Sequence, residues 1–199
     1  MLKKQLEKHI ANALNTGEEK INLYPEEKEY AIKHQLLPGN FSVVENDASS
    51  RFSDSVIERC DKVTEDLLSS ETLNFLIRPV EYLKVHRNEF VNVESTSLSN
   101  IGVDAIALEF DEVFETYTAM LGLKLQKKFG SALKSHLDVQ LLGDGAKYSV
   151  MFSEEDGLWH VNLPINFMED FHEEMSLEDA FQLIYAFLFS LVTAVEENL

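Results

Sequence analysis

The spacing most specific for chemistry in this sequence is Glu169-x-x-His172. A Glu and a His three residues apart form part of a di-metal site in a helical bundle, which also needs a second such pair and two further carboxylates. The sequence has no second Glu-x-x-His, although His160 could complete a set of two histidines and one carboxylate. Because the pair lies just before the predicted start of the last helix, we expect a solvated acidic loop here and no bound metal.

Cys60 is the only cysteine, so an intrachain disulfide is not possible. A nucleophilic cysteine needs a lowered pKa and a nearby base. Cys60 instead falls on the apolar stripe of a helix that the spacing predicts from Ser53 to about Leu68. We interpret it as a small core residue.

A second group of candidates lies in a long helix predicted from Val103 to about Lys128, and comprises Glu109, Asp111, Glu112 and Glu115. Side chains three or four residues apart stack on one face of a helix. Paired carboxylates can divide acid and base roles when burial separates their pKa values. These four alternate with the apolar stripe, so the pattern favours a solvated helix face over a catalytic pair.

The common motifs of cofactor and nucleophile chemistry are missing from the sequence. It contains no glycine-rich dinucleotide or phosphate loop, no H-E-x-x-H and no G-x-S-x-G. The segment Glu154-Glu155-Asp156-Gly157 could hold calcium in a tight turn, but it lacks the EF-hand spacing, and Asp-Gly is ordinary turn chemistry. We therefore expect no cofactor and assign no catalytic residue.

The charge argues against two classes of partner. The 199 residues contain 17 Lys and Arg against 35 Asp and Glu, a formal net charge of -18. Eleven of the acids and a single base, Lys147, fall within residues 145–199. Nucleic acids and anionic membrane surfaces attract proteins through Lys and Arg, so we expect neither as a partner. A basic protein fits this charge, because opposite fields steer association.

Two acidic clusters near the C-terminus are the candidate partner-binding residues. The first is the predicted tip of a hairpin, and the second is the predicted loop before the last helix. They comprise Glu154, Glu155 and Asp156, and Glu169, Asp170, Glu173 and Glu174. The competing explanation is solubility alone, because a net charge far from zero keeps a protein dispersed.

Hydrophobic periodicity predicts the elements that would position these residues. Besides the two helices named above, helices are predicted from Leu2 to Thr16–Gly17, from Pro25 to about Leu36, over 131–137 and from Ser176 to about Glu197. Short strands are predicted at 21–23, 41–45 and 139–141, and alternation over 146–152 and 158–163 predicts an antiparallel hairpin. Residues 72–94 fit strands and a helical turn about equally.

Together these elements predict an α+β fold with about five or six helices packed on a small mixed or antiparallel sheet. A C-terminal β-hairpin is followed by a long buried helix. That helix is apolar nearly all round, so we expect it to be the central core helix or the interface of a homodimer. We expect residues 1–199 to form a single domain, with a possible sub-division near 94–100.

We expect a cytoplasmic protein. The first ten residues are charged throughout and lack the apolar stretch of a signal peptide. The longest apolar run, Leu183–Val195, has 13 residues, fewer than the roughly 20 that span a bilayer. A single cysteine fits a reducing compartment.

The leading interpretation is a protein-interaction module that binds a basic partner, in an inhibitor, immunity or chaperone-like role. The alternative is a small enzyme or small-ligand-binding domain whose site is assembled from scattered residues, with His34, His86, His136 and His160 as its candidates. A pocket that joins a histidine to a carboxylate would favour the alternative. An acidic surface beside exposed apolar side chains would favour the interaction module.

Overall fold

The structure is a computed structural model that describes residues 1–15, 20–39, 42–143 and 145–197, and these adopt an α+β fold. The α-helices are α1 (Leu2–Asn15), α2 (Pro25–Lys33), α3 (Tyr82–Val85), α4 (Gly130–Gln140) and α5 (Leu177–Glu197). The strands are β1 (Lys20–Leu23), β2 (Ser42–Glu45), β3 (Val56–Asp61), β4 (Leu67–Glu71), β5 (Glu89–Glu94), β6 (Val103–Asp111), β7 (Thr116–Leu123), β8 (Ser149–Ser153) and β9 (Leu158–Pro164).

The prediction of a small sheet is wrong. Seven strands form one antiparallel sheet in the order β4-β3-β5-β6-β7-β9-β8, and β1 and β2 form a separate parallel pair. The buried side of the large sheet carries rows of apolar side chains in register, such as Val93, Ile106, Leu121 and Val161. These rows form the main core together with α5.

The helix predicted over 53–68 is wrong, because this segment forms the β3–β4 hairpin. Its apparent helical stripe combined residues from both sides of a strand with residues that are not buried at all. Ile57 points to the core, Cys60 lies on the opposite side of β3, and Val63 is 89% exposed in the turn. Residues that lie three or four positions apart, as in a helix, therefore face the core, the opposite side of the sheet or the solvent.

The helix predicted over 103–128 is also wrong, because the segment forms β6 and β7. Ile106, Leu108 and Phe110 are buried at every second position, which is the period of a strand. The same alternation resumes in β7 with Tyr117 and continues through alternate residues to Leu123. The helical spacing arose because the exposed turn residues between the strands are themselves apolar.

Several other predictions can now be compared with the structure. In residues 72–94 the predicted helical turn is present as α3, whereas of the predicted strands only the one at Val91 and Val93 is present, within β5, and Leu73–Ile77 is a 3₁₀ segment. The strand predicted over 139–141 is wrong, because α4 extends to Gln140. The hairpin predicted near the C-terminus is present as β8–β9. The predicted helix end at Thr16–Gly17, and Phe41 of a predicted strand, lie outside the described residues.

Helix α5 lies in the main core, which is the first of the two predicted alternatives. Ser176 and Asp179 cap its start reciprocally, since the Ser176 hydroxyl accepts from the Asp179 N–H at 3.0 Å and the Asp179 carboxylate accepts from the Ser176 N–H at 3.3 Å. Its fully buried residues include Phe181, Ile184 and Leu188. By length and composition this helix could cross a membrane, and half of its most apolar stretch is buried inside the protein. The homodimer through α5 stays a prediction.

A buried carboxylate joins α2 to the 3₁₀ segment before β6 and to α5. Glu27 of α2 is 1% exposed. Its Oε1 accepts hydrogen bonds from Asn100 Nδ2 and from the Tyr185 hydroxyl, each at 2.9 Å. Its Oε2 accepts from the Tyr24 backbone N–H at 3.1 Å, at the start of α2. Three segments far apart in the sequence thus meet at one side chain.

Arg51 packs against this cluster through its flat guanidinium. The group lies between two aromatic rings, 4.0 Å from the Tyr24 centroid and 3.8 Å from the Tyr185 centroid. One of its nitrogens donates to Glu26 at 2.5 Å. Contact of a cation with an aromatic face is favourable, and more so when water is excluded. Arg51 therefore places a positive charge on the ring of Tyr185, whose hydroxyl donates to Glu27.

We expect Tyr185→Phe to lower the free energy of unfolding by about 1–3 kcal/mol, because Glu27 loses a hydrogen bond in a site with little access for water. Tyr148→Phe is the matched control, since its hydroxyl donates to Asp138 at 2.6 Å in an exposed pair. We expect the control to cost less than about 1 kcal/mol. Urea unfolding of both variants measures the difference, and equal losses would contradict the special role of the buried bond.

Candidate functional site

Two hairpins of the large sheet have the same turn, and they share the sequence pattern Asp-x-Val-x-Glu. The pattern occurs at Asp61–Glu65 between β3 and β4, and at Asp111–Glu115 between β6 and β7. In each hairpin one oxygen of the aspartate accepts hydrogen bonds from the backbone N–H groups two and three residues later, at 2.8 to 3.1 Å. The aspartate therefore fixes the backbone of the turn.

The last residue of each pattern has a left-handed backbone conformation. The φ angles are +60° at Glu65 and +53° at Glu115, whereas the corresponding position of the β8–β9 hairpin is Gly157 with φ +68°. A residue with a Cβ is strained in this conformation, and glycine is not. The two tips thus hold a glutamate where the local geometry favours glycine.

These two turns expose apolar side chains. Val63 is 89% exposed and Val113 is 84% exposed, and Phe114 beside it is also exposed. Both turns lie at the same end of the sheet, because only β5 separates β3 from β6. Lys62 spans this gap and donates from its Nζ to the Phe110 carbonyl oxygen at 2.5 Å.

Segment 169–174 reaches the same end of the sheet. At the start of β7, the Tyr117 N–H donates to Asn166 Oδ1 at 2.6 Å, and the Tyr117 ring lies 5.8 Å from the Phe171 ring. We call residues 62–66, 112–115 and 169–174 together the hairpin-tip surface.

The hairpin-tip surface is acidic. Its acidic residues are Glu65, Asp66, Glu112, Glu115, Glu169, Asp170, Glu173 and Glu174. Within its three segments the only Lys or Arg is Lys62, which is engaged with Phe110 and lies 3.4 Å from Glu109. Outside them, Lys84 pairs with Glu173 and Arg87 with Glu112, each at 3.3 Å. Exposed valines thus stand among an excess of carboxylates.

The two predicted acidic clusters do not form one surface. Segment 169–174 belongs to the hairpin-tip surface, but Glu154, Glu155 and Asp156 lie at the β8–β9 turn, beyond the other end of β9. At about 3.4 Å per residue the seven residues of β9 separate the clusters by about 20 Å. At the far end, Glu154 pairs with Lys127, and Asp156 accepts from the Ser153 hydroxyl at 2.7 Å.

The histidines suggested for an assembled site are dispersed. His34 follows α2 and lies 3.1 Å from the Glu197 carboxylate in a cavity that both residues line, so this one candidate meets the expectation of a histidine joined to a carboxylate. His86 follows α3, His136 lies in α4 and His160 in β9. His160 faces Asp156 at 3.5 Å, near the end of the sheet opposite His172. Across the described ranges, no group of three or more His, Cys, Asp or Glu side chains is placed to hold a metal ion.

The candidate carboxylates of the wrongly predicted helix have separate surroundings. Glu109 lies in β6, where burial raises the pKa of its carboxyl group and the Lys62 ammonium opposes that shift. Asp111 and Glu115 instead build the turn described above. Cys60 is buried in β3, and burial raises the pKa of its thiol, which disfavours the reactive thiolate.

No family model, no curated protein and no solved structure matches this chain. The candidate site therefore rests on the exposure, hydrogen bonds and charge of the hairpin-tip surface. Sequence reasoning missed its two tips, and the repeated Asp-x-Val-x-Glu pattern was the signal that could have found them.

We expect Glu115→Gly to raise the free energy of unfolding by about 0.5–1 kcal/mol, because glycine adopts the left-handed conformation without steric strain. The reverse change in the third hairpin, Gly157→Glu, should lower it by a similar amount. Thermal or urea unfolding of the two variants measures whether each change raises or lowers the free energy of unfolding. If both changes shift the stability in the same direction, backbone strain is not the controlling factor at these tips.

Proposed function

We propose that the protein is a protein-interaction module that binds a basic partner through the hairpin-tip surface. The observation that carries this proposal is the pair of exposed valines, Val63 and Val113, at the tips of neighbouring hairpins inside an acidic surround. Exposed apolar groups rimmed by polar ones are typical of protein–protein contacts. The acidic surround gives the partner its expected sign of charge.

The construction of the tips supports a recognition role. Each valine is held on a turn that Asp61 or Asp111 fixes through two backbone hydrogen bonds. A side chain held on a rigid turn loses little conformational freedom when it is buried in a partner, so more of its contact energy contributes to affinity. Each tip would insert its valine into an apolar pocket, while the carboxylates around it face Lys and Arg of the partner.

The projecting shape favours an inhibitor or immunity role over a chaperone role. Tips that project from one end of a sheet can enter a cleft of a folded partner, whereas holding an unfolded chain needs a broad apolar surface. The cytoplasmic location is part of this proposal and rests on the sequence. A partner-binding role for Glu154, Glu155 and Asp156 stays a prediction, and the experiment below tests it separately.

The proposal predicts a loss of affinity in the double variant Val63→Ser/Val113→Ser. After capture and purification of a partner from the host cell, surface binding kinetics should show at least a tenfold weaker complex with faster dissociation, because buried anchors contribute about 2 kcal/mol or more. The control is Val139→Ser/Met151→Ser, which changes two side chains that are 77% and 68% exposed elsewhere. Equal affinities for the two double variants would overturn the assignment of the anchors.

Charge reversal tests whether the carboxylates of the hairpin-tip surface contribute to binding, and it distinguishes them from those of the β8–β9 turn. We expect Glu169→Lys/Glu174→Lys to slow association several-fold and to weaken its salt dependence, because exposed charges mainly set the rate of encounter. The same reversal at Glu154 and Glu155 changes the net charge equally at the other end of the sheet, and we expect a smaller effect. A larger effect at Glu154 and Glu155 would move the binding surface to the β8–β9 turn.

A further inference from the structure

A cavity of about 860 Å³ lies where α1, α2 and the end of α5 meet residues 124–129. Its inner wall is apolar and aromatic, formed by the buried side chains of Tyr30, Leu125 and Phe129. Pockets for small ligands typically have volumes of about 300–1,000 Å³ and mostly apolar walls. The cavity therefore has the size and lining of a ligand site, and it shares no residue with the hairpin-tip surface.

The rim of the cavity is basic in a strongly acidic protein. Five lysines line it, and they come from three parts of the chain: Lys3, Lys4, Lys33, Lys124 and Lys128. The whole chain has only 17 Lys and Arg and a net charge of -18. Nearly a third of its basic side chains thus surround one cavity.

The two carboxylates of the rim are already engaged. Glu196 accepts hydrogen bonds from the Met1 amino group and from the Leu2 N–H at the start of α1. Glu197 accepts from Lys33 at 2.6 Å and from His34 at 3.1 Å, and these contacts lower the pKa of its carboxyl group. Among the described residues, neither carboxylate forms an ion pair with Lys3, Lys4 or Lys128.

Three of the lysines that line the cavity have no carboxylate partner among the described residues. In the described part of the chain, no carboxylate lies within ion-pair distance of Lys3, Lys4 or Lys128. The Lys128 ammonium lies 4.9 Å above the Phe129 ring, at the border between the rim and the apolar wall. Unpaired ammonium groups that line one cavity attract an anion that carries more than one negative charge.

The aromatic wall is ordered by its own contacts. The Tyr30 ring packs 4.0 Å from the His34 ring and meets Phe189 edge-on at 5.9 Å. Burial and then the nearby carboxylates Glu196 and Glu197 raise the pKa of Tyr30 to about 12. The phenol is protonated at neutral pH even at its ordinary pKa of about 10, so it can donate a hydrogen bond.

We propose that this cavity binds a small soluble organic phosphate, with its apolar or aromatic body against Tyr30, Leu125 and Phe129 and its phosphate among Lys3, Lys4 and Lys128. A phosphate monoester carries close to two negative charges at neutral pH, which matches a group of unpaired ammonium ions. The apolar wall would pack against the body of the ligand, and the lysines of the rim would bind its phosphate.

The probe for this proposal is 1-naphthyl phosphate, titrated calorimetrically into the full chain. Inorganic phosphate and 1-naphthol carry its two halves separately, and we expect the probe to bind at least tenfold more tightly than either. The double variant Lys4→Gln/Lys128→Gln should weaken binding of the probe at least fivefold. Lys8→Gln/Lys134→Gln removes two exposed lysines outside the cavity, one on α1 and one on α4, and should change binding less than twofold.

Three results would overturn the proposal. The first is no binding of 1-naphthyl phosphate to a protein whose melting temperature shows it to be folded. The second is equal weakening in the two double variants, which would mean that only net charge matters. The third is binding confined to phosphatidylcholine vesicles that contain phosphatidic acid, which would assign the lysines to a lipid headgroup. Each result leaves the proposal for the hairpin-tip surface unaffected, because the residues differ.

Discussion

Burial of the Glu27 carboxylate is the constraint that ties α2 to α5 and to the segment before β6. A carboxylate removed from water is strongly unfavourable unless the protein supplies hydrogen bonds or charge. Glu27 obtains them from Asn100, Tyr185 and the backbone of Tyr24, so α2, the segment before β6 and α5 must meet at one point. The N-terminal elements also have a small core of their own around Ile10, while Leu2, Leu6 and Tyr30 pack into the main core. The hydrogen bonds to Glu27 therefore add a directional constraint to the apolar contacts that already hold α1 and α2 against the rest of the protein.

The distribution of charge divides the surface into regions of opposite sign. Carboxylates surround the valines of the hairpin-tip surface, whereas lysines surround the cavity between α1, α2 and α5. A net charge of -18 conceals this division, because it sums over the whole chain. The excess of acid led us to expect a basic partner, and it gave no indication of a basic cavity. Two ligands of opposite charge could occupy these separate surfaces at the same time.

The ends of the chain were predictable from sequence, and its middle was not. The first helix has one apolar stripe, the last helix is apolar nearly all round, and apolar and polar side chains alternate along the β8–β9 hairpin. Between residues 53 and 128, exposed apolar residues such as Val63 and Val113 fell at helical spacing from buried ones, and helices were predicted where four strands lie. Glu27 and the cavity lysines could not have been predicted, because their partners are remote in sequence and come together only through the sheet and α5.

The arrangement of the seven strands also limits what the sheet can join. Its two outer strands, β4 and β8, each have five residues, and each pairs on its inner side with the other strand of its own hairpin. Beside β4 the pairing is interrupted at Arg59 and Cys60 by an irregularity in register. A short outer strand, and on the β4 side an irregular register, makes a poor template for the addition of a further strand from another molecule. Each outer strand therefore presents a further strand with only five residues of unpaired backbone edge, which limits strand addition on either side of the sheet.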